Sequence, residues 1–318
     1  MSETKKTIPD SIKRYIDNQI RLEFKQNEPP EIKFPKHGSN SELYFLFFGS
    51  TTKLILRCFK EKKEFKKYYS VMNYFSGKML PIPDLIDHDG DLLTKLIYKR
   101  YFCIEEFIDG KLLIDTQIDE DIENLLLSSL AAMHNYTSDK WGEIGSLKQK
   151  GHREKLLERV NKKLSEIPEG NEFVKIGEKD NWKQWFEQKW QNVPKITKYS
   201  LIHRHLAPDD IMISDGNTKA VFLDNISLQF GHFAYDLEDV LEFTAGDSEE
   251  KRQVVISKYM SLQNHVSKEF DYKKIEPFFR ADYHLKKLRT GIKKYNKTPE
   301  KYHQLVAYHS NMLRNLVK

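Results

Sequence analysis

The sequence predicts a mixed α+β fold, in which an antiparallel β-rich part is followed by a mostly helical part. Two patterns predict it. Between residues 31 and 59, aromatic and β-branched residues form three runs with strand character, separated by the turn sequences HGSNS and GSTT. From about residue 119, apolar residues recur instead at helical spacing, as in DEDIENLLLSSLAAMH. The chain of 318 residues is long enough for one large domain or two lobes.

The composition is that of a globular chain, with 39% hydrophobic and 31% charged residues. The net charge of +5 permits an anionic ligand but does not argue for nucleic acid. Cys58 and Cys103 lie inside apolar runs, so we expect buried thiols and neither a disulfide framework nor a zinc site. No apolar run reaches the roughly 18 residues of a membrane helix, and the first residues lack the apolar core of a secretory signal. We therefore expect a cytoplasmic protein without membrane or nucleic-acid partners.

The start of the chain offers a turn that could hold phosphates. An amphipathic lead helix is predicted over residues 9–22, and the strand-rich segment follows it. Gly38, Ser39 and Asn40 form the tip between the first two predicted strands, where backbone N–H groups can bind an anion. An ordinary hairpin turn would have the same composition, so this signal is weak when taken alone.

A single cation interrupts the third predicted strand. Arg57 stands among apolar neighbours in LILRCF, and its side chain must reach either solvent or an anion. The next segment is helical by pattern and offers Glu64 or Glu61 as an acidic partner. In kinases, a strand cation at this place contacts the nucleotide phosphates and pairs with a helix acid. A surface arginine on an edge strand is the alternative.

Residues 201–214, LIHRHLAPDDIMIS, are the most informative stretch. Two apolar runs flank a polar centre, and a turn at residues 215–217 leads to a third apolar run that ends at Asp224. This predicts strand, charged loop, strand, turn, and a strand ending in an acid. Kinase-type phosphotransferases place a base and one metal ligand on such a loop and the other metal ligand at such a strand end. Where their pattern has H-x-D-x-x-x-x-N, this chain has His205 and Asp210.

The order of these parts resembles the aminoglycoside phosphotransferase and choline-kinase-like family, small-molecule relatives of the protein kinases. The resemblance covers about residues 32–242. It rests on the HGSNS turn, the LILR strand, the Glu-bearing helix, EEFIDG, LAAMH, the HRHLAPDDIMI loop, the FLD strand end and the GHFAYDL turn. It implies a two-lobed protein-kinase-like fold. Residues 1–109 would form a small antiparallel sheet lobe, and residues 110–318 a mostly helical lobe with the catalytic loop and the acceptor site.

The resemblance implies a site for ATP, whose matched residues are Gly38, Ser39, Asn40, Arg57, Glu64, Glu105 and Phe107. The first three look like the phosphate loop. Arg57 stands where the family has a lysine or arginine on the phosphates, with Glu64 as its partner. Glu105 and Phe107 lie in the implied hinge, whose backbone would bind the adenine.

The resemblance also implies a catalytic centre. Asp224 looks like the metal-binding aspartate, and Asp210 takes the place of a metal-ligating asparagine; together they could hold Mg²⁺. His203 and Asp236 match positions that support the catalytic loop. His205 occupies the position of the catalytic base, which is an aspartate in the family.

The change at His205 leaves several interpretations open. A neutral imidazole can accept a proton, but it is larger than a carboxylate and offers one acceptor atom instead of two. The chain could be an ATP-dependent phosphotransferase for a hydroxyl of a small molecule, of the aminoglycoside, amino alcohol or sugar type, with histidine as base. It could instead be a slow kinase, or a pseudokinase that binds a nucleotide or a protein partner without turnover. Recruitment of the scaffold to another phosphate chemistry is a further alternative.

Overall fold

The computed structural model of the chain describes residues 7–35, 42–266 and 270–317. Its strands are β1 (Glu31–Lys33), β2 (Glu42–Phe48), β3 (Thr52–Phe59), β4 (Leu85–Asp89), β5 (Tyr101–Glu106), β6 (Gly110–Leu112), β7 (Thr137–Ser138), β8 (Gly142–Glu143), β9 (Tyr199–Ile202), β10 (Ile211–Ser214), β11 (Ala220–Phe222) and β12 (Gln229–Gly231). Its α-helices are α1 (Asp10–Tyr15), α2 (Arg21–Glu23), α3 (Lys62–Phe75), α4 (Leu92–Tyr98), α5 (Glu120–His134), α6 (His152–Ser165), α7 (Glu178–Trp190), α8 (Ala234–Thr244), α9 (Glu249–Ser261), α10 (Tyr272–Tyr295) and α11 (Pro299–Leu316). A π-helical turn, Ile16–Ile20, joins α1 to α2, so the lead helix is continuous.

The chain divides into two compact units. The first unit comprises Met1–Ser129 and Pro208–Leu228, and the second comprises Leu130–Ala207 and Gln229–Lys318. The first unit thus continues past the boundary predicted after residue 109 and includes the segment after the charged loop. The division into an N-terminal nucleotide-binding lobe, residues 1–109, and a C-terminal lobe, residues 110–318, stays a prediction.

An antiparallel sheet with the strand order β1-β2-β3-β5-β4 forms the first unit's main layer. Its sequence explains one buried face, because Tyr44, Leu46 and Phe48 alternate with more exposed residues along β2. The lead helix covers that face, and the ring of Tyr15 stacks on Phe102 with centroids 3.6 Å apart. The predicted α+β class is therefore confirmed. Both cysteines are buried and free, and burial raises the pKa of each thiol.

A three-stranded ribbon with the order β11-β10-β6 completes the first unit. Gly110 starts β6 directly against β10, and a Cβ at this position would lie 2.1 Å from the carbonyl oxygen of Ile213. Only glycine permits that approach. The Asp109-Gly110 sequence thus marks the place where the chain docks on the ribbon that ends at Asp224.

The second unit combines a small antiparallel sheet, β7-β9-β12-β8, with helices α6 to α11. Ile202 at the end of β9 lies opposite Gln229 at the start of β12. Helix α8 begins shortly after β12, so its first turn lies close to the loop that leaves β9. Within the described ranges, no helix combines the length and the apolar character that crossing a bilayer requires.

A buried charge cluster in the second unit predicts a pH-dependent stability. The Arg252 guanidinium binds Glu238 at 2.6 Å and Glu276 at 3.0 Å, and Tyr272 donates a hydrogen bond to Glu238. Burial raises the pKa of Glu238 to about 7, against the opposing effect of Arg252 and with the repulsion of Glu276. Since the folded pKa exceeds the unfolded one, the folded state takes up the proton. This contribution to stability is present at low pH and is lost as the pH rises through about 4.5 to 7.

In the Glu238→Gln variant, the free energy of unfolding should lack this dependence on pH, because the amide does not titrate. Urea unfolding of both proteins at several pH values between 4.5 and 8 measures the difference. Equal pH slopes for the two proteins would show that Glu238 is ionised throughout this range.

Candidate active site

Arg57 lies on the same face of the sheet as Glu105. Arg57 is opposite Cys103 in the β3–β5 register, and Glu105 is opposite Ile55, so the two side chains are diagonal neighbours. The Arg57 Nε–Glu105 Oε1 distance is 2.7 Å and the Nη2–Oε2 distance is 3.4 Å. The ring of Tyr68 on α3 lies 4.5 Å from the guanidinium carbon. A planar fork, a carboxylate and an aromatic face therefore fix the cation in one orientation.

The ion pair is buried, since the Arg57 side chain is 7% exposed and that of Glu105 is 2% exposed. Burial by itself would lower the pKa of Arg57, but the attraction of Glu105 outweighs it and raises that pKa above its usual value. The guanidinium is thus a permanent positive charge at the end of a rigid strand. Removing either partner would leave an unpaired buried charge, which typically costs about 3–5 kcal/mol.

The structure corrects the predicted pairing of this cation. Glu105 forms an ion pair with Arg57, for which Glu64 was the predicted partner, because the strand register places Glu105 beside Arg57. The side chain of Glu105 therefore serves the ion pair, and its backbone pairs with both β3 and β4 inside the sheet. Glu64 lines the cavity in front of Arg57 instead.

A cavity of about 280 Å³ opens in front of the ion pair, within the first unit. The residues that line it are Glu42, Arg57, Cys58, Phe59, Lys60, Glu64, Tyr68, Asp224 and Ile226. The Arg57 Nη1 atom lies 3.8 Å from Asp224 Oδ1. The fixed cation and the carboxylate of Asp224 thus both line this cavity, within ion-pair distance of each other.

The β10–β11 ribbon brings the two candidate metal ligands to the same end. Ile211 pairs with Phe222, and the N–H of Leu223 donates to the carbonyl oxygen of Asp210 at 2.8 Å. Asp210 ends a 3₁₀ turn just before β10, and Asp224 follows β11. Carboxylate oxygens are the ligands that Mg²⁺ prefers. The donor set at this end of the ribbon therefore fits the predicted ion.

Two features next to Asp224 are unusual for a plain turn. Asp224 has φ 54° and ψ 53°, in the left-handed region, and its side chain is 55% exposed. The adjacent Asn225 is buried, and among the described residues its amide oxygen and nitrogen have no hydrogen-bond partner. Strained backbone and unsatisfied buried polar groups are concentrated at functional sites. Both features support a ligand-binding role for this strand end.

In the second unit, the side chain of Asp236 holds the backbone of the charged loop. The N–H groups of His203 and Arg204 donate to its two carboxylate oxygens at 2.5 and 2.6 Å. One turn further along α8, Asp239 accepts the N–H of Leu206 at 3.1 Å. The loop on either side of His205 is thus fixed by carboxylates from one helix.

Asp236 is fully buried and ionised. Burial would raise its pKa, but a hydrogen bond from His134 and the nearby His203 lower the pKa below the usual value. His134 Nε2 lies 3.2 Å from Asp236, and His134 Nδ1 lies 2.5 Å from the hydroxyl of Tyr259. An ionised carboxylate only accepts hydrogen bonds, so His134 donates from Nε2 to Asp236. This chain of contacts orients the carboxylate that holds the loop.

His205 extends from this fixed backbone with an exposed side chain. The preceding residue, Arg204, adopts φ 70°, and its carbonyl oxygen accepts a hydrogen bond from Lys286 Nζ at 2.9 Å. The backbone before His205 is therefore anchored at both its N–H and its C=O. Because this backbone is already ordered, the segment would lose less conformational entropy when a ligand binds.

The remaining predicted positions fall into two groups. Gly38, Ser39 and Asn40 lie outside the described residues. Phe107 follows β5, and its ring lies against those of Phe45 and Phe47 at 5.5 and 5.2 Å.

Sequence reasoning did not identify Tyr68, His134, Asp239 and Lys286 as parts of the site. His134 and Tyr68 carried weak signals, since they lie on predicted helices beside recognised residues. Asp239 and Lys286 are charged residues of helices without a recognisable motif, so the sequence carried no signal for them.

Comparisons with known proteins identify the family and the fold of this chain. Residues 31–266 match the model of the phosphotransferase enzyme family. No curated protein matches the chain in sequence. The structure is similar to the crystal structure of aminoglycoside phosphotransferase APH(4)-Ia, with 13% identity, 96% of this chain and 97% of that chain covered, and a TM-score of 0.67.

A thermostable mutant of APH(4)-Ia in complex with AMP-PNP and hygromycin B is also similar, with 13% identity, coverage of 97% and 98%, and a TM-score of 0.66. The GDP and kanamycin complex of APH(2″)-IIIa gives 13% identity, coverage of 96% and 98%, and a TM-score of 0.57. At such identities the similarity concerns the fold. The predicted kinase-like fold is therefore confirmed.

Proposed function

Because the chain belongs to the phosphotransferase enzyme family, we propose that it transfers the γ-phosphate of ATP to a hydroxyl of a small molecule. The acceptor would be of the aminoglycoside, amino alcohol or sugar type. The observation that carries the proposal is the Arg57–Glu105 ion pair, whose guanidinium lines one cavity together with Asp224. A fixed cation beside a candidate metal ligand suits a phosphate chain better than it suits a neutral ligand.

On the nucleotide side, Arg57 would bind phosphate oxygens, with Glu105 and Tyr68 holding its guanidinium in place. Asp210 and Asp224 would hold Mg²⁺, which when bound neutralises charge on the phosphate oxygens. Gly38, Ser39 and Asn40 would add backbone N–H groups, and the segment around Phe107 would contact the base. The AMP-PNP complex of APH(4)-Ia supports ATP as the donor, and the GDP complex of APH(2″)-IIIa makes GTP a necessary comparison.

On the acceptor side, His205 would accept the proton of the acceptor hydroxyl. The hydroxyl oxygen forms a bond to the γ-phosphorus while the bond from that phosphorus to the β,γ-bridging oxygen breaks, and ADP leaves. The proton passes to an imidazole nitrogen of His205. Asp236 and Asp239 position this imidazole through the loop backbone without touching the substrate.

The second candidate function is a pseudokinase that binds nucleotide or a protein partner without turnover. It is favoured by one specific observation: an exposed imidazole stands where kinases carry a carboxylate. Stabilisation by ATP does not separate the two functions, since both include nucleotide binding.

The test is a screen of hydroxylated metabolites and antibiotics with ATP·Mg²⁺ and with GTP·Mg²⁺, in which the phosphorylated acceptor is detected by mass spectrometry. The enzyme hypothesis predicts a product with the unmodified protein. If only the His205→Asp variant forms a product, the chain is a pseudokinase whose loop has lost its base.

With an acceptor in hand, His205→Ala should lower kcat by about 10²-fold. This is the lower end for loss of a positioned base, since phosphoryl transfer depends mainly on positioning and charge stabilisation. Asp209→Asn is the matched control, because Asp209 is an exposed acid of the same loop with no role in the proposal. An unchanged kcat in His205→Ala would remove His205 from the mechanism.

A further inference from the structure

Two histidines and a glutamate meet in the interior of the second unit, away from the residues discussed so far. Glu242 comes from the end of α8, His284 from the middle of α10 and His309 from α11. One ligand atom of each lies within 4.8 Å of those of the other two. We propose that these three side chains form a binding site for a divalent transition-metal ion, for which Zn²⁺ is the best match.

The ligand chemistry selects the kind of metal. Two imidazole nitrogens and one carboxylate oxygen suit Zn²⁺ and its neighbours, whereas Mg²⁺ prefers oxygen ligands alone. Zn²⁺ binds nitrogen at about 2.0–2.1 Å, which places tetrahedral ligand atoms about 3.4 Å apart. The present spacing reaches that geometry with small side-chain adjustments, and the fourth position would be taken by water. The site is thus chemically distinct from the all-oxygen pair Asp210 and Asp224.

Both imidazoles are prepared for metal binding by their surroundings. His284 and His309 are nearly inaccessible to solvent, and their Nδ1 atoms face each other at 2.9 Å. Without a metal, the two rings can share only one proton in a hydrogen bond. Among the described residues, His284 Nε2 has no hydrogen-bond partner, so this ring nitrogen is buried and unsatisfied.

The carboxylate ligand has an orienting partner. The hydroxyl of Tyr308 lies 3.1 Å from Glu242 Oε1 and 2.9 Å from Asp247 Oδ1. This contact fixes Glu242 and leaves Oε2 for the ion, as outer contacts do in metal sites. Lys287, Arg280 and Arg252 are the nearby cations. Each has another acid as a partner: Asp239 attracts Lys287, Arg280 pairs with Glu249, and Arg252 pairs with Glu238 and Glu276. Glu242 also attracts Lys287 and Arg280, and a bound cation would compete with them for its carboxylate.

A bound ion would join α8, α10 and α11. Glu242 lies on the same helix as Asp236, so the ion would stabilise the helix that holds the loop around His205. The role is structural, and it does not depend on whether the protein transfers phosphate.

The test uses the full-length protein, stripped with EDTA and then titrated with Zn²⁺ or Co²⁺. We expect about one ion per chain by elemental analysis, a tetrahedral Co²⁺ absorption spectrum and a raised melting temperature. His309→Asn should abolish binding, and Tyr308→Phe should weaken it about tenfold. If His309→Asn does not fold, Glu242→Gln provides the same test, because Glu242 is only partly buried and its replacement should be tolerated.

His303→Ala is the matched control, because His303 is an exposed histidine of the same helix that pairs with Glu172. It should bind Zn²⁺ like the unmodified protein, and so should Asp224→Asn. The proposal is overturned if the unmodified protein binds no Zn²⁺, or if Glu242→Gln and Tyr308→Phe both bind it with unchanged affinity.

Discussion

Replacing Asp224 by asparagine is expected to slow phosphate transfer by about 10³-fold, which corresponds to roughly 4 kcal/mol of transition-state stabilisation. The amide keeps the size of the side chain but removes one of the two negative charges available to the metal. Asparagine tolerates the left-handed backbone at this position as well as aspartate does, and the side chain is half exposed. The fold should therefore be retained.

The measurement is the initial rate of acceptor phosphorylation over a range of Mg²⁺ concentrations, where the variant should also need more Mg²⁺. Asp215→Asn is the matched control, because Asp215 lies in the turn at the opposite end of the same ribbon. Its rate should stay within about twofold of the unmodified protein. A wild-type rate and Mg²⁺ dependence in Asp224→Asn would exclude this residue as a metal ligand.

The residues that sequence alone could locate are those in short, continuous patterns. LIHRHLAPDDIMIS and FLD each combine strand-forming runs with polar residues at a fixed spacing, so Asp210 and Asp224 could be assigned to one site before any coordinates. The ribbon geometry agrees, because two short antiparallel strands joined by a tight turn must bring their outer ends together.

The partner of Arg57 could not be located in this way. Arg57 and Glu105 are 48 residues apart, and their contact depends on the register between β3 and β5. A shift of one residue would have turned Glu105 to the opposite face of the sheet. Helix α3 contains acids in the position expected for a partner of Arg57. The sequence alone does not show whether one of these acids or a strand residue forms the ion pair.

The support of the charged loop was visible from sequence only in part. Resemblance pointed to His203 and Asp236, but His134 lies 102 residues from Asp236 in the chain, and only the folded structure brings the end of α5 to this carboxylate. A histidine at the end of an apolar helix usually indicates nothing more than a helix terminus. Its significance comes from the carboxylate that it orients.

Replacing Asp236 by asparagine is expected to destabilise the protein by about 3 kcal/mol or more. Asp236 accepts two backbone N–H groups and the His134 ring in a fully buried position. The amide nitrogen of asparagine would face one of these donors and leave it without an acceptor. The melting temperature should fall by roughly 5–10 °C.

The effect of Asp236 on stability should also depend on pH. The pKa of Asp236 is lowered in the folded state, so its contribution to the free energy of unfolding is present above its unfolded pKa and is lost as the pH falls through the folded pKa. The difference in free energy of unfolding between the unmodified protein and Asp236→Asn should therefore narrow only below about pH 4.

Asp239→Asn is the matched control, because it also removes a buried carboxylate from α8. Asp239 accepts the N–H of Leu206, which the oxygen of asparagine can still accept, and its ion pair with Lys286 spans a longer 3.9 Å, so the destabilisation should be smaller. Chemical denaturation at neutral pH compares the two variants, and equal losses would contradict the special position of Asp236. Asp236→Asn can also be assayed well below its melting temperature, where it remains folded. We expect kcat to fall, because the loop then no longer holds His205 in place. Such a fall would show that the function of the imidazole depends on a carboxylate that does not touch the substrate.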